Sequence, residues 1–140
     1  MKVKEKWTNQ DFEEMSWHDC TIYSLNFPHE DQNFILDIDY IFKWVLNKEN
    51  NLFKFWVAPC TITFHNTMNL DIKISFSDSV GLSINQIWRE NLRESVNKKV
   101  ILYDYTINTD KGIITFTSTG FEQIVRKQPI FSENINVGRL

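Results

Sequence analysis

Apolar and polar residues alternate with a period of two along most of this chain, and that period predicts β-strands with one buried face. Two such segments, residues 21–27 and 34–40, flank the turn sequence PHEDQN. Pairing Phe27 with Phe34 puts the apolar residues of both segments on one face. The pattern therefore predicts an antiparallel hairpin of defined register.

A longer apolar segment, FKFWVAPCTITFH, changes phase at Ala58-Pro59. A bulge or bend at that point would return both halves to the core, and proline is tolerated there. Residues 70–76 then alternate cleanly after the turn HNTMN. Placing Phe64 opposite Leu70 predicts a second hairpin.

A third hairpin is predicted for VILYDYTI and GIITFTS, which flank the sequence NTDKG. A loop of even length puts Tyr105 and Ile107 on one face with Ile114 and Phe116, whereas an odd length would mix the faces. We therefore expect an even loop.

Residues 82–96 fit two patterns. The apolar residues there match a helical stripe, and LSINQIW also matches an edge strand followed by a loop, which we favour. FEQIVRK, after Gly120, predicts a last strand. Near the N-terminus, TNQDFEEMSW predicts a short helix, because Thr8 and Asp11 have the spacing of a capping box.

These segments predict a single, mainly β domain over residues 1–140. The fold class is an antiparallel β-sandwich or partly open β-barrel built from hairpins, with one short N-terminal helix. The helix lies within residues 1–16, the antiparallel core spans 17–127, and 128–140 form a polar tail laid across the surface.

Composition excludes several classes of protein. Hydrophobic residues make up 42% of the 140 residues, which argues against disorder. The net charge of −3 comes without a basic stripe, which argues against nucleic acid as the partner. No segment has the length of a signal peptide or a membrane span, so we expect a cytoplasmic protein without membrane contact. Cys20 and Cys60 are then expected to be reduced core thiols.

Four segments, MSWHDCTIYSLNF, LDIDYIFKWV, FWVAPCTITFHNTMNLDI and GIITFTSTGFEQIVR, resemble a group of small bacterial proteins. The shared motifs are W-H-D, L-D-I-D-Y-I and V-A-P-x-T-x-x-F, and they cover the chain from about Met15 to Arg126. The resemblance implies a shared fold. No activity is assigned to the group, so it implies no site residue and no cofactor.

The stretch SWHDC predicts a structural junction between the helix and the first long strand. Trp17 is expected to cover the core. Asp19 lies two and four residues before Thr21 and Tyr23, so we expect its side chain on the same buried face. An unpaired buried carboxylate is costly, so we expect it to accept hydrogen bonds from backbone N–H groups. Removing the Asp19 carboxyl group should then destabilise the domain. His18 points to the opposite face.

Asp37 and Asp39 lie two residues apart, so they share the polar strand face at a separation of roughly 6 to 7 Å. Such a pair could hold a cation or act as acid and base. A solvated face, or one paired with Arg or Lys, is the favoured interpretation, and neutral variants should change stability little. A partner or ligand surface would comprise His18, Ser24, Asp37, Asp39 and Trp56.

No nucleophile motif such as GxSxG or HExxH occurs, so we expect no catalytic residue, no cofactor and no metal. The favoured function is a non-enzymatic protein-binding domain. An immunity or antitoxin-like protein with a basic partner is one form of it. The alternatives are a β-barrel that binds a small apolar ligand and, last, a metal-assisted hydrolase at Asp37 and Asp39.

Overall fold

The computed structural model describes residues 1–27 and 30–139. The chain forms two antiparallel β-sheets with very little helix, and in the described ranges neither sheet closes into a barrel. The predicted fold class, a mainly β sandwich built from hairpins, is confirmed. The elements in chain order are β1 (Lys6–Thr8), a 3₁₀ helix (Asn9–Glu14), β2 (Thr21–Asn26), β3 (Phe34–Asn47), β4 (Leu52–His65), β5 (Met68–Ile74), β6 (Ile84–Glu94), β7 (Ile101–Thr109), β8 (Gly112–Ser118), β9 (Gly120–Val125) and β10 (Ile130–Ser132).

The first sheet has the order β1-β9-β4-β3-β2, and the second has the order β5-β8-β7-β6. Two strands share one edge of β4 in the first sheet. β9 pairs with Cys60–His65 and β10 pairs with Phe55–Val57. Pro59 falls in the gap between them, where the N–H that proline lacks is not needed by either strand.

Aromatic rings from both sheets fill the core between them. Phe34 and Phe64 of the first sheet meet Tyr105 and Phe116 of the second, with the Phe64 and Phe116 ring centroids 4.7 Å apart. Each of the four residues is at most 3% exposed. Burying a side chain of this size contributes about 1.5 to 3 kcal/mol, so this cluster holds the sheets together.

One of the predicted hairpins has the expected pairing, and a second has it in part. In β7 and β8, Tyr105 lies opposite Phe116 across a two-residue loop, as the even loop length predicts. In β2 and β3, Leu25 lies opposite Leu36 as expected. The expected position of Tyr23 on the apolar face is wrong, because a bulge at Tyr23 puts the buried Ile22 opposite Ile38. Residues 82–96 contain the edge strand β6, which confirms a strand over a helix, but the strand runs on to Glu94, where a loop was expected.

The predicted pairing of Phe64 with Leu70 is wrong. β4 belongs to the first sheet and β5 to the second, where β5 pairs with β8. The turn at Asn66 carries the chain from one sheet to the other. Both apolar sets therefore reach the same core from opposite sides, and a hairpin pattern alone does not distinguish this from pairing.

The bulge predicted at Ala58-Pro59 is also misplaced. The pairing of β3 with β4 runs unbroken through Ala58 and Pro59, and the irregularity lies in β3 between Ile41 and Lys43. Val57 and Ala58 are both fully buried. The apparent phase change arises because this part of the first sheet is covered on both faces.

The N-terminal and C-terminal segments differ from expectation in detail. The short helix is present as a 3₁₀ helix, and the Asp11 carboxylate accepts a 2.8 Å hydrogen bond from the Thr8 amide, as the capping box predicts. The polar tail contains β10, and Ile135 and Val137 beyond it pack against the core.

The SWHDC stretch joins the edges of the two sheets. Backbone hydrogen bonds run from the Asp19 amide to Ile84, from the Ile22 amide to Leu82, and from the Ile84 amide to Cys20, all at 2.8–2.9 Å. These bonds close the sandwich along its β2 and β6 edges.

Gly112 tests the sheet geometry. Its φ is +147°, and a side chain there would meet the backbone of Lys73 and Ile74 in β5. We expect Gly112→Ala to lower the free energy of unfolding by about 1 to 3 kcal/mol. In the matched control Gly81→Ala, the added methyl group meets no atom within 4 Å, so stability should stay level or rise by up to about 1 kcal/mol. Urea unfolding measures both, and equal midpoints would contradict the packing of β5 on β8.

Candidate functional site

The candidate site lies on the outer face of the first sheet. β3 supplies Asp37 and Asp39, which face the same side because residues two apart in a strand do so. β2 supplies Tyr23, and residues 133–139, here called the C-terminal segment, supply Arg139. The site therefore joins residues about one hundred positions apart in the chain.

Arg139 has an acceptor for each of its five N–H groups. Its Nε and Nη2 donate to the two oxygens of Asp37 at 3.2 and 2.9 Å, and Nη1 donates to Asp39 Oδ1 at 2.8 Å. The remaining hydrogens bind the carbonyls of Ile38 and Gly138 at 3.0 and 2.7 Å. A planar guanidinium matched in this way makes strong, charge-assisted hydrogen bonds.

Asp39 is fully buried, and β2 and the C-terminal segment supply its donors. Its Oδ2 accepts hydrogen bonds from the Tyr23 hydroxyl at 2.8 Å and from the Val137 amide at 2.7 Å. The Gly138 amide donates to the Tyr23 hydroxyl at 3.1 Å, and the Tyr23 ring lies 4.0 Å from the Arg139 guanidinium. Burial and the bond to Asp39 raise the pKa of Tyr23, so the phenol stays a donor.

Asp37 is paired with a second arginine. Arg126 donates to Asp37 Oδ1 and to the Thr61 hydroxyl, each at 2.6 Å. Burial acts to raise the pKa of Asp37, but Arg139 and Arg126 outweigh it and the net shift is downward. Burial likewise acts to lower the pKa of Arg139, and its two carboxylates outweigh that effect. Asp37 is therefore engaged as an anion.

This arrangement favours a structural role for Asp37 and Asp39 over a catalytic one. An ionised carboxylate held by arginine is a poor general base, because abstracting a proton would break its ion pairs. Among the described residues, no three His, Cys, Asp or Glu side chains form a group that could hold a metal ion. The site holds the guanidinium group of Arg139 in place.

Two expectations about burial are wrong. The side chain of Asp19 is 39% exposed and lies 3.5 Å from His18 Nε2, whereas Asp39 is 0% exposed. Asp19 adopts a left-handed backbone with φ +64°, which takes it out of the strand alternation. Asp39 faces outward as expected, but the C-terminal segment covers it.

The other residues of the predicted surface do not all meet. Ser24 is exposed and lies across from Asp37 in the β2–β3 pair. His18 instead stacks on Trp44 with ring centroids 6.1 Å apart. Trp56 packs against Phe131 of β10 at 5.1 Å.

Trp17 lies in the connection between the 3₁₀ helix and β2. It is 3% exposed, and its indole Nε1 donates to Gln123 Oε1 at 2.9 Å.

A half-open cleft of about 580 Å³ adjoins the carboxylate pair, where β9 ends and β10 begins. Its lining residues come from β4, the β9–β10 connection, β10 and the C-terminal segment: Val57, Pro59, Arg126, Lys127, Gln128, Ile130, Val137, Gly138 and Arg139.

Sequence reasoning missed Arg139, because the tail was treated as a polar surface segment. The signal in the sequence was the pair Asp37 and Asp39. If another segment of the chain covered these carboxylates, it would have to supply a cation.

Large apolar side chains are exposed on the β3–β4 hairpin. Leu52 is 65% exposed, Leu46 and Phe53 are each 45% exposed, and Trp44 is 39% exposed. We call these four residues the hairpin patch. Leu46 lies directly across from Phe53, and Trp44 contacts Phe53 with ring centroids 5.7 Å apart, so these three residues form one continuous apolar surface. Leu52 precedes Phe53 in the strand and points to the opposite face of the hairpin.

A scan against protein-family models, a search of curated proteins and a search of solved structures each found no match. The likeness of the four motif segments to small bacterial proteins therefore remains a resemblance. Within residues 1–27 and 30–139, no helix has both the length and the hydropathy to cross a membrane.

The two aspartates whose burial differs from expectation supply a direct test. Asp39→Asn removes the charge opposite Arg139 and should lower the free energy of unfolding by about 2 to 4 kcal/mol. Asp19→Asn should cost less than about 0.5 kcal/mol, because its contact with His18 is exposed and asparagine tolerates a left-handed backbone. Urea unfolding of both variants gives the ranking, and the reverse order would show that the faces are assigned wrongly.

Proposed function

We propose that this chain is a non-enzymatic protein-binding domain that contacts its partner through the hairpin patch. Between Phe55 and the β3–β4 turn, neither edge of the hairpin has a neighbouring strand among the described residues. A lone two-stranded hairpin is marginally stable in water. Exposing four large apolar side chains there has a solvation cost that a bound partner would remove.

The composition of the hairpin patch supports this proposal. Tryptophan and phenylalanine are favoured anchors of protein interfaces, and Trp44 and Phe53 lie in contact at the middle of the patch. Lys43, Lys48 and Lys54 lie along the same hairpin and would form a polar rim. An apolar centre with a polar rim is the usual anatomy of an interface.

A basic partner, as in an immunity or antitoxin-like complex, is the more specific form of the proposal. The net charge of −3 supports it through long-range attraction alone, because the three lysines at the rim of the hairpin patch would repel a basic partner at close range. Asp37 and Asp39 contribute little to that attraction, because Arg126 and Arg139 neutralise them. Any attraction would come from the other acidic residues of the surface.

The proposal includes a cytoplasmic location. Cys20 and Cys60 support it because both are free, fully buried thiols. Burial raises the pKa of Cys60 to about 12 and raises that of Cys20 as well. Neither thiol is therefore poised for nucleophilic or redox chemistry at neutral pH.

The two alternatives receive less support from the geometry. An apolar ligand inside a barrel would need room between the sheets, and aromatic rings occupy that space. A hydrolase at Asp37 and Asp39 would need those carboxylates to leave Arg139 before they could bind a metal.

Replacing two residues of the hairpin patch tests the proposed function. The double variant Leu52→Ser, Phe53→Ser should keep the free energy of unfolding within about 1 kcal/mol, since both side chains are largely exposed. It should lose the stoichiometric partner that the native chain retains when used as bait in an extract of its source cell. The matched control is Val80→Ser, which replaces an 88% exposed residue outside the patch and should retain the partner.

Two outcomes would contradict the proposal. A partner held equally by the double variant would place the interface elsewhere. Failure of the native chain to retain any stoichiometric partner would argue against a protein-binding function.

A further inference from the structure

The cleft between β9 and β10 has the size of a small-molecule site. Its volume of about 580 Å³ lies within the range of about 300 to 1,000 Å³ that is typical of ligand pockets. It exists because β9 ends at Val125 and β10 begins at Ile130, so no strand pairs with β4 at Pro59, where the Arg126 amide alone donates a 2.9 Å hydrogen bond to the Pro59 carbonyl. The C-terminal segment forms its far wall.

The charges at the cleft are unbalanced. Arg126, Lys127 and Arg139 line it, while Asp37 and Asp39 lie outside the lining, bonded to the arginines. Three cations against two carboxylates leave one positive charge, in a chain whose net charge is −3.

Lys127 is the cation that has no counter-charge. In the part of the chain that the structure describes, no carboxylate lies within 4.0 Å of its ammonium group. Arg126 donates one N–H of each terminal nitrogen, to Thr61 and to Asp37 respectively. Its other N–H groups can donate to a further acceptor. The head group that suits this end of the cleft is an anion with a single charge.

The rest of the lining is apolar. Val57 and Pro59 of β4 and Val137 of the C-terminal segment line it together with Ile130. Ile130 is 54% exposed, so a large aliphatic side chain meets water at the cleft. A hydrocarbon body laid against these residues would remove apolar surface from water.

We propose that this cleft binds a small organic carboxylate. The carboxylate lies on Lys127 and Arg126, and the hydrocarbon body lies on Pro59, Ile130 and Val137. This inference does not depend on the hairpin patch, because none of the four patch residues lines the cleft.

The test uses the full chain and octanoate as the probe, measured by isothermal titration calorimetry. We expect one octanoate to bind per chain. Octylammonium, which has the opposite charge, and acetate, which lacks the hydrocarbon body, should each bind at least about tenfold more weakly. Octanoate binding should also raise the thermal unfolding midpoint.

Two variants locate the site. Lys127→Glu reverses the unpaired charge and should weaken octanoate binding at least about tenfold. Ile130→Ser removes apolar contact, and it should weaken binding without changing the preference for octanoate over octylammonium. Lys48→Glu makes the same charge change in the β3–β4 turn and should bind octanoate like the native chain.

Three results would overturn the proposal. They are no octanoate binding at millimolar concentration, equal binding of octanoate and octylammonium, and unchanged affinity in both Lys127→Glu and Ile130→Ser. Any of these could occur while the native chain still retains a protein partner through the hairpin patch. Failure of this inference is therefore distinguishable from failure of the proposed function.

Discussion

The charge pairing of Arg139 with Asp37 and Asp39 is the contact on which the rest of this structure depends. A buried carboxylate without a counter-charge would be too costly to keep in a folded domain. Because Asp39 is completely covered, the C-terminal segment must bring its cation with it when it crosses the sheet. The segment then adds its own amides at Val137 and Gly138 as donors, so covering and neutralisation occur together.

This pairing also determines which surfaces remain available for function. The acidic face that would attract a basic protein, or ligate a metal, is occupied by the protein's own arginines. The same crossing segment creates one wall of the cleft, where Lys127 and exposed Ile130 lie. The surfaces proposed here for recognition are an apolar hairpin at one place and a cationic, partly apolar cleft at another.

Local patterns predicted most of the strands, because the period of two is a property of each segment by itself. The register of β7 and β8 could be predicted because the loop between them is short. A short loop of even length fixes the pairing of the two strands, so Tyr105 must lie opposite Phe116. The same reasoning failed for Phe64 and Leu70. A short connection between two strands does not reveal whether the chain stays in one sheet or crosses to the other.

The site was less predictable, for two physical reasons. Alternation placed Asp37 and Asp39 on one face correctly, but their burial depends on Arg139, about one hundred residues away. Asp19 was assigned by extending the strand pattern backwards through a residue that is left-handed. The alternation of faces along a strand does not hold where the backbone leaves the extended conformation. A residue that is buried by a segment distant in the sequence cannot be identified from the local pattern.

Amide hydrogen exchange at Val137, followed by NMR, tests this account most directly. Its N–H donates to the buried Asp39 carboxylate at 2.7 Å, so the native chain should exchange it at least about tenfold more slowly than an unstructured peptide. In Arg139→Gln that protection should fall sharply, while the Tyr105 amide in the core strand β7 keeps its own. Exchange of Val137 at the unstructured rate in the native chain would contradict the central claim, because the C-terminal segment would not be held on the sheet.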